Sequence, residues 1–93
     1  MEIEIKEIDA KGYSMAKDGG KQIGMMTYSI AGESLLIIDH TEVDPAYSGK
    51  GVGNQMLDKI VEMARVKNVK IIPLCPFAAS VFKKTDNYKD VLK

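Results

Sequence analysis

The run Tyr47-Ser48-Gly49-Lys50-Gly51-Val52-Gly53 carries the densest chemical signal in the sequence. Glycines at three alternate positions let a backbone come close to a ligand, and they let successive amides converge on an anion. Where such a loop runs into a helix, the N–H groups of the first turn lack intrahelical partners and the helix dipole adds positive potential. The pattern therefore suits a phosphate. Two other phosphate loops fit less well. A Walker loop needs a hydroxyl residue after its lysine, and Lys50 is followed by Gly51. A dinucleotide fingerprint needs its third glycine one position later than Gly53. A plain tight turn has no need of three glycines, whose ordering costs conformational entropy.

Cys75 and His40 are the other residues with distinctive chemistry. Cys75 directly precedes Pro76, where a strand is expected to end and a helix to start, and helix N-termini favour thiolate. The alternative is that a free cysteine packs into the core. His40 lies on the neighbouring expected strand and could serve as a base toward Cys75 or an amine; the alternative is a structural histidine. Asp39 and Glu42 are further candidates for deprotonating an ammonium. On a regular strand those two carboxylates lie on opposite faces.

The elements that must position these residues follow from hydrophobic periodicity. Residues 2–8 alternate polar and apolar, as in a half-buried strand. A second strand is expected over 13–17, and Asp18-Gly19-Gly20 is a turn signal. A third strand follows over 21–30, with Ile23, Met25 and Thr27 on one face and Met26, Tyr28 and Ile30 on the other. Leu35-Leu36-Ile37-Ile38 is a continuous apolar run, which suits a strand buried on both faces, here extending over 35–43. A helix is expected over 52–66, since Val52, Met56, Leu57, Ile60, Val61 and Ala64 recur at helical spacing. Residues 69–75 read as a further strand parallel to 35–43. Pro73 within it removes a backbone donor, which marks a splayed or bulged strand or an edge. Pro76 opens a second helix over 76–84, with Phe77, Val81 and Ala78 toward the sheet. Residues 85–93 are too few for another strand pair. The expected architecture is α/β (α+β): antiparallel strands leading into a βαβ unit with a C-terminal helix.

Composition narrows the function classes. The 93 residues suffice for one domain spanning 1–93 and not for two. Thirteen basic residues balance thirteen acidic ones, without the basic excess that nucleic-acid binding domains usually carry. No apolar run approaches the length of a membrane span. A single cysteine makes no internal disulfide and, with a single histidine, makes a poor zinc site. The expectation is a cytoplasmic, metal-free protein whose partners are small molecules, with no nucleic acid and no membrane. The short sheet also offers an edge for weak homodimerisation.

The segment Val43-Asp44-Pro45-Ala46-Tyr47-Ser48-Gly49-Lys50-Gly51-Val52-Gly53, followed by Met56-Leu57, resembles the acyl-CoA-binding motif of the GNAT (GCN5-related N-acetyltransferase) superfamily, which reads Gln/Arg-x-x-Gly-x-Gly/Ala. Ser48 stands where that family usually has Gln or Arg. Downstream, Cys75-Pro76-Phe77-Ala78-Ala79-Ser80-Val81-Phe82 is similar to the family's Asn-x-x-Ala-x-x-Leu-Tyr, with Cys75 for the asparagine and Phe82 for the tyrosine. Phenylalanine has no proton to donate. His40-Thr41-x-Val43 together with Pro73-x-Cys75-Pro76-Phe77 resembles a minimal, single-domain branch of this family.

The resemblance implies a truncated GNAT-like fold whose sheet splits between the two parallel strands, without the family's final hairpin. It implies acetyl-CoA or coenzyme A as substrate and transfer to an amine acceptor; a non-catalytic acyl-CoA-binding or sensing module is the alternative. Cofactor contacts are then expected from Thr41, Glu42 and Val43, from Ser48, Gly49, Lys50, Gly51, Val52, Gly53 and Asn54, and from Pro76 and Phe77. His40 and Cys75 are the catalytic candidates, and amides near Val43 or Leu74 are candidates to polarise the thioester carbonyl.

Overall fold

The computed structural model describes all residues, 1–93. Strands β1 (Glu2–Ile8), β2 (Lys11–Asp18), β3 (Lys21–Ile30) and β4 (Leu35–Val43) follow one another, and a 3-10 turn at Pro45–Tyr47 leads to helix α1 (Val52–Lys67). Strand β5 (Lys70–Pro73), helix α2 (Pro76–Lys84) and a second 3-10 helix (Asp86–Val91) complete the chain. The sheet order is β1-β2-β3-β4-β5, with the first four strands antiparallel and β5 parallel to β4 across α1. This is the mixed α+β architecture that the sequence led one to expect. No helix is long and apolar enough to cross a membrane.

Both helices lie on one face of the sheet. Ala16, Met26, Tyr28, Leu36, Ile38 and Ile71 share one buried cluster with the α1 stripe and with Ala78 and Phe82 of α2. All six apolar positions expected on the inner face of α1 are buried. Asn68 closes that helix in the left-handed region (φ 58°), its N–H donating to the Ala64 and Arg65 carbonyls. The one buried polar side chain of the core, Ser14, donates to the Met56 carbonyl at 3.0 Å, so its hydroxyl is satisfied and ties β2 to α1.

Several local expectations are corrected. Leu36 and Ile38 are buried but Leu35 and Ile37 only partly, because the second face of β4 has no helix on it. β2 starts two residues earlier than expected and β5 ends two residues earlier. On β3, a bulge opposite Ala16 and Lys17 sends Ile23 into the core alongside Met26 and Tyr28. On α2 Ala78 is buried as expected and Val81 packs partly buried against the core, but Phe82 is the second buried residue and Phe77 is exposed.

The C-terminal residues are held down by side chains. Arg65 donates from Nε to Asp90 Oδ2 at 2.8 Å and from Nη2 to the Asn87 carbonyl, while Tyr88 donates to Asp58 at 3.0 Å and packs against Phe82. Leu92 makes a single parallel bridge to Ile71, covering part of the β5 edge.

Two measurements test this packing. The Tyr28 ring lies over Gly12, where an added Cβ would sit 2.0 Å from Tyr28 Cζ. Since Tyr28 is fully buried, Gly12→Ala is expected to cost about 1–3 kcal/mol in urea denaturation. Burial, with the hydrogen bond to Asp58, pushes the Tyr88 phenol up to about 12 from the usual 10.0. Its contribution to stability is therefore complete below pH ~10 and is lost between about pH 10 and 12, as the unfolded chain ionises first. Tyr28 is raised in the same direction by burial and by Glu7. Tyr88→Phe should accordingly make the alkaline loss of stability shallower without abolishing it.

Candidate functional site

The site begins where β4 outruns β5. The parallel pairing covers only Leu35↔Lys70 through Ile38↔Pro73. Pro73 has no N–H, and the next two amides, of Leu74 and Cys75, both donate to the Ile38 carbonyl at 3.1 and 3.0 Å. β4 then continues to Val43 with no strand on that side. The Asp44 amide donates to the Ile23 carbonyl at 2.8 Å. Because ladder bonds of an antiparallel pair alternate, the main-chain groups of Val43 and Thr41 point away from β3, into the gap.

A bulge decides which side chains face the gap. Tyr28 pairs with Ile38 and Thr27 with His40, so Asp39 is the extra residue. Asp39 accepts from Ser29 at 2.9 Å and from Lys11 at 2.8 Å on the helix-free face. His40 lies on that same face, its Nε2 3.0 Å from Glu42 Oε1 and its side chain 62% exposed. The expectation that Asp39 and Glu42 lie on opposite faces holds only for a regular strand, and the bulge puts both on one. Thr41 and Val43 take the helix side, where they line a cleft of about 580 Å³.

The rim of that cleft is the glycine-rich loop. Gly49 and Gly51 have φ of 78° and 77°, so these two positions need glycine for backbone reasons. Gly53 is helical and needs it for space: an added Cβ would lie 2.6 Å from Cζ of Phe77. The Ser48 amide donates to the Pro45 carbonyl, that of Lys50 to Tyr47, and that of Gln55 to Gly51. The N–H groups of Gly49, Gly51, Val52, Gly53 and Asn54 have no acceptor within the protein. Gly51, the residue before α1, gives the helix no side-chain cap.

The expected site residues fall into two groups. Thr41, Val43, Ser48, Gly49, Gly51, Val52, Gly53, Asn54 and Phe77 all line the cleft, and Tyr47, which the sequence reading left out of the site, lines it too. Glu42 and His40 face the other way. Lys50 turns its ammonium toward the Tyr47 ring, 5.6 Å from its centre, and Pro76 begins α2 without bordering the cleft. Cys75 is 4% exposed, with its Sγ 3.1 Å from Thr41 Oγ1. His40 and Cys75 are therefore not brought together, and the Leu74 amide is already engaged with Ile38. Tyr47 sits inside the loop motif, so only the direction of its ring was beyond reach of the sequence.

The family model for GCN5-related N-acetyltransferases matches residues 12–91. The chain belongs to this GNAT family. Relatives agree with that placement. A GCN5-like protein from Staphylococcus aureus, solved in solution, is 38% identical, with a TM-score of 0.72 over 97% of this chain and 87% of that one. The protein YxbD of Bacillus subtilis (strain 168) is 33% identical over 68% of this chain, which spans only 38% of YxbD. An aminoglycoside 6'-N-acetyltransferase complexed with coenzyme A shares the fold at 11% identity and a TM-score of 0.60, over 67% of this chain and 36% of that one.

This GNAT chain thus uses its loop glycines for two different reasons, which substitution can separate. No atom lies within 4 Å of a Cβ added at Gly51, so Gly51→Ala should cost about 1–2 kcal/mol through left-handed strain alone. Gly53→Ala should instead push the part-exposed Phe77 ring aside, seen as a change in its ring-proton shifts, with a smaller loss in denaturation.

Proposed function

We propose that this protein is an acyl-CoA-dependent N-acyltransferase for an amine acceptor, with coenzyme A held between β4 and the start of α1. One observation carries the reading: five main-chain N–H groups without protein acceptors border one cleft at an uncapped helix start. A diphosphate is the ligand chemistry that such converging amides and the helix dipole suit best. Ser48 offers no cationic side chain there, so these amides would carry the contact. The free main-chain groups of Thr41 and Val43 suit an extended arm with amide groups, and the ring of Phe77 supplies an apolar wall opposite them. The family membership supports the same reaction class, as does the coenzyme A held by a fold relative.

Bound acyl-CoA would supply the activated thioester, whose acyl group goes to the amine as the CoA thiolate leaves. The chain's own part follows from the two faces of β4. The Val43 amide is the available donor for a developing oxyanion, since the Leu74 amide is committed to Ile38. In the tautomer whose Nε2–H donates to Glu42, His40 would keep a lone pair on Nδ1 that could take a proton from an ammonium. A route through Cys75 draws on the place of its buried thiol beside Thr41, itself a residue of the cleft wall, and would act without His40.

A second reading, a non-catalytic acyl-CoA-binding module, is favoured by one specific feature. Phe82, at the position of the family's tyrosine, is buried in the core, and the phenols of Tyr47 and Tyr88 are engaged with Asp18 and Asp58. No phenol is left free near the cleft to protonate a leaving thiolate.

Calorimetry with CoA and acetyl-CoA is expected to show binding by the wild type and its loss in Gly51→Trp. Gly32→Trp, equally strained at φ 78° but remote from the cleft, should bind normally. Tight binding by Gly51→Trp would exclude this placement of the diphosphate. Thiol release with a panel of amines decides between the two readings: binding without release favours the non-catalytic module. Full turnover by Cys75→Ala removes the covalent route.

A further inference from the structure

The tip of the β2–β3 hairpin reaches the glycine-rich loop. Gly19 and Gly20, at φ 58° and 87°, turn the chain tightly and leave Asp18 as the last residue of β2. Asp18 Oδ2 accepts a hydrogen bond from the Tyr47 phenol at 2.6 Å, between residues 29 positions apart. Hydrogen bonding to Asp18 also holds the Tyr47 phenol above its usual range. The same hairpin reaches the other end of the short 3-10 turn. Asp44 caps that turn by accepting the Ala46 amide at 2.9 Å, and its second carboxylate oxygen lies 3.9 Å from Lys21 Nζ.

Tyr47 is the hinge between that turn and the loop. Its carbonyl accepts the Lys50 amide at 3.3 Å, and its ring lies under the Lys50 ammonium. From Ser48 to Gly51 the only main-chain bonds are those to Pro45 and Tyr47 and the one that Gly51 accepts from Gln55. A loop with two left-handed glycines has many other conformations available, and each of them disperses the converging amides. Fixing the loop before a ligand arrives removes an ordering cost from binding.

We infer that Asp18 is a positioning residue for the anion-binding loop, acting through the Tyr47 hydroxyl. This rests on the cofactor reading given above for what the loop binds. The bond is exposed, and exposed polar contacts add little to global stability. Its effect should therefore fall on loop order and ligand affinity more than on folding. The carboxylate also stands close to a site read as anionic-ligand binding, where a bare negative charge would oppose binding. Acting through a phenol keeps the geometric benefit one residue away from the ligand.

The test combines amide hydrogen exchange in the free protein with CoA titration. Tyr47→Phe keeps the ring and its contact with Lys50 but removes the donor. Asp18→Ala removes the acceptor, and Asp18→Asn keeps one without the charge. In Tyr47→Phe and Asp18→Ala, exchange at the Lys50 amide should rise and CoA should bind about three- to tenfold more weakly, the range for one hydrogen bond. Asp18→Asn should stay within about twofold of wild type. The double variant Tyr47→Phe/Asp18→Ala should be no worse than either single one, with thermal midpoints close to wild type throughout. Unchanged Lys50 exchange in Tyr47→Phe, or losses of affinity that multiply in the double variant, would overturn the inference. So would tighter CoA binding by Asp18→Asn, which would mean that charge alone matters. A wild type that ignores CoA would defeat the cofactor reading, while the exchange data would still decide whether Asp18 orders the loop.

Discussion

The Ile38 carbonyl is the point on which the site depends. It receives two amides, of Leu74 and Cys75, at the place where β5 stops being a strand. Pro73 cannot donate to the ladder, and two successive amides converging on one acceptor cannot continue it. β5 therefore leaves the sheet and turns at once into α2, with Pro76 in the first helical position. β4 keeps its other partner, β3, and runs on to Val43. A strand held along one edge and free along the other results, with backbone donors and acceptors aimed into a cleft. That condition would be costly in a closed core, where unpaired polar groups are penalised, and is tolerable here because the cleft is open.

The position of the loop follows from the core. Val52 and Met56 of α1 pack directly on Gly24 of β3: a Cβ added there would meet Val52 Cγ1 at 3.1 Å and the Glu42 carbonyl at 3.3 Å. Gly24 thus lets the helix start come down close to the sheet at the level where β4 is unpaired. The buried stripe of α1 fixes the helix axis, and the first-turn amides go where the axis points. Phe77 closes the arrangement from α2 by laying its ring where Gly53 has no side chain. Two glycines, Gly24 on β3 and Gly53 on α1, therefore set how near the amides, the free strand edge and an aromatic wall stand to one another.

Much of this was legible in the sequence, and the part that was not has a common cause. The α1 stripe, the β4 boundaries, the α2 boundaries and the interruption at Pro73 all rest on local signals, namely periodicity and the chemistry of proline. The bulges at Ile23 and Asp39 were not legible, because a bulge is a relation between two strands and leaves no mark on one strand's own pattern. Missing the second bulge put Asp39 and Glu42 on opposite faces and brought His40 toward Cys75, a pairing the fold does not make. The outward turn of Phe77 on α2 was not legible for a similar reason. Phe77 and Phe82 are equally apolar, and only the empty space beside Gly53, distant in sequence, explains why Phe77 turns to the cleft and Phe82 to the core.

The bulge also shapes how a transfer could work. Without it, successive residues of β4 would alternate, and His40 would share the cleft face with Ile38. With one residue inserted, His40 and Glu42 lie together on the helix-free face while Thr41 and Val43 keep the cleft. On the proposed reading, the group that takes a proton and the groups that hold the acyl donor sit on opposite sides of a single strand. An acceptor would then approach from the side where no helix packs, and meet the acyl group past the end of β5. Separation of this kind keeps the exposed imidazole and its partner Glu42 apart from the main-chain donors that border the cleft. The same arrangement leaves Cys75 without a base, so the buried thiol depends on Thr41 alone. Direct attack by an amine from the open face asks less of this geometry than a relay through Cys75, because it uses each face of β4 for the groups already there.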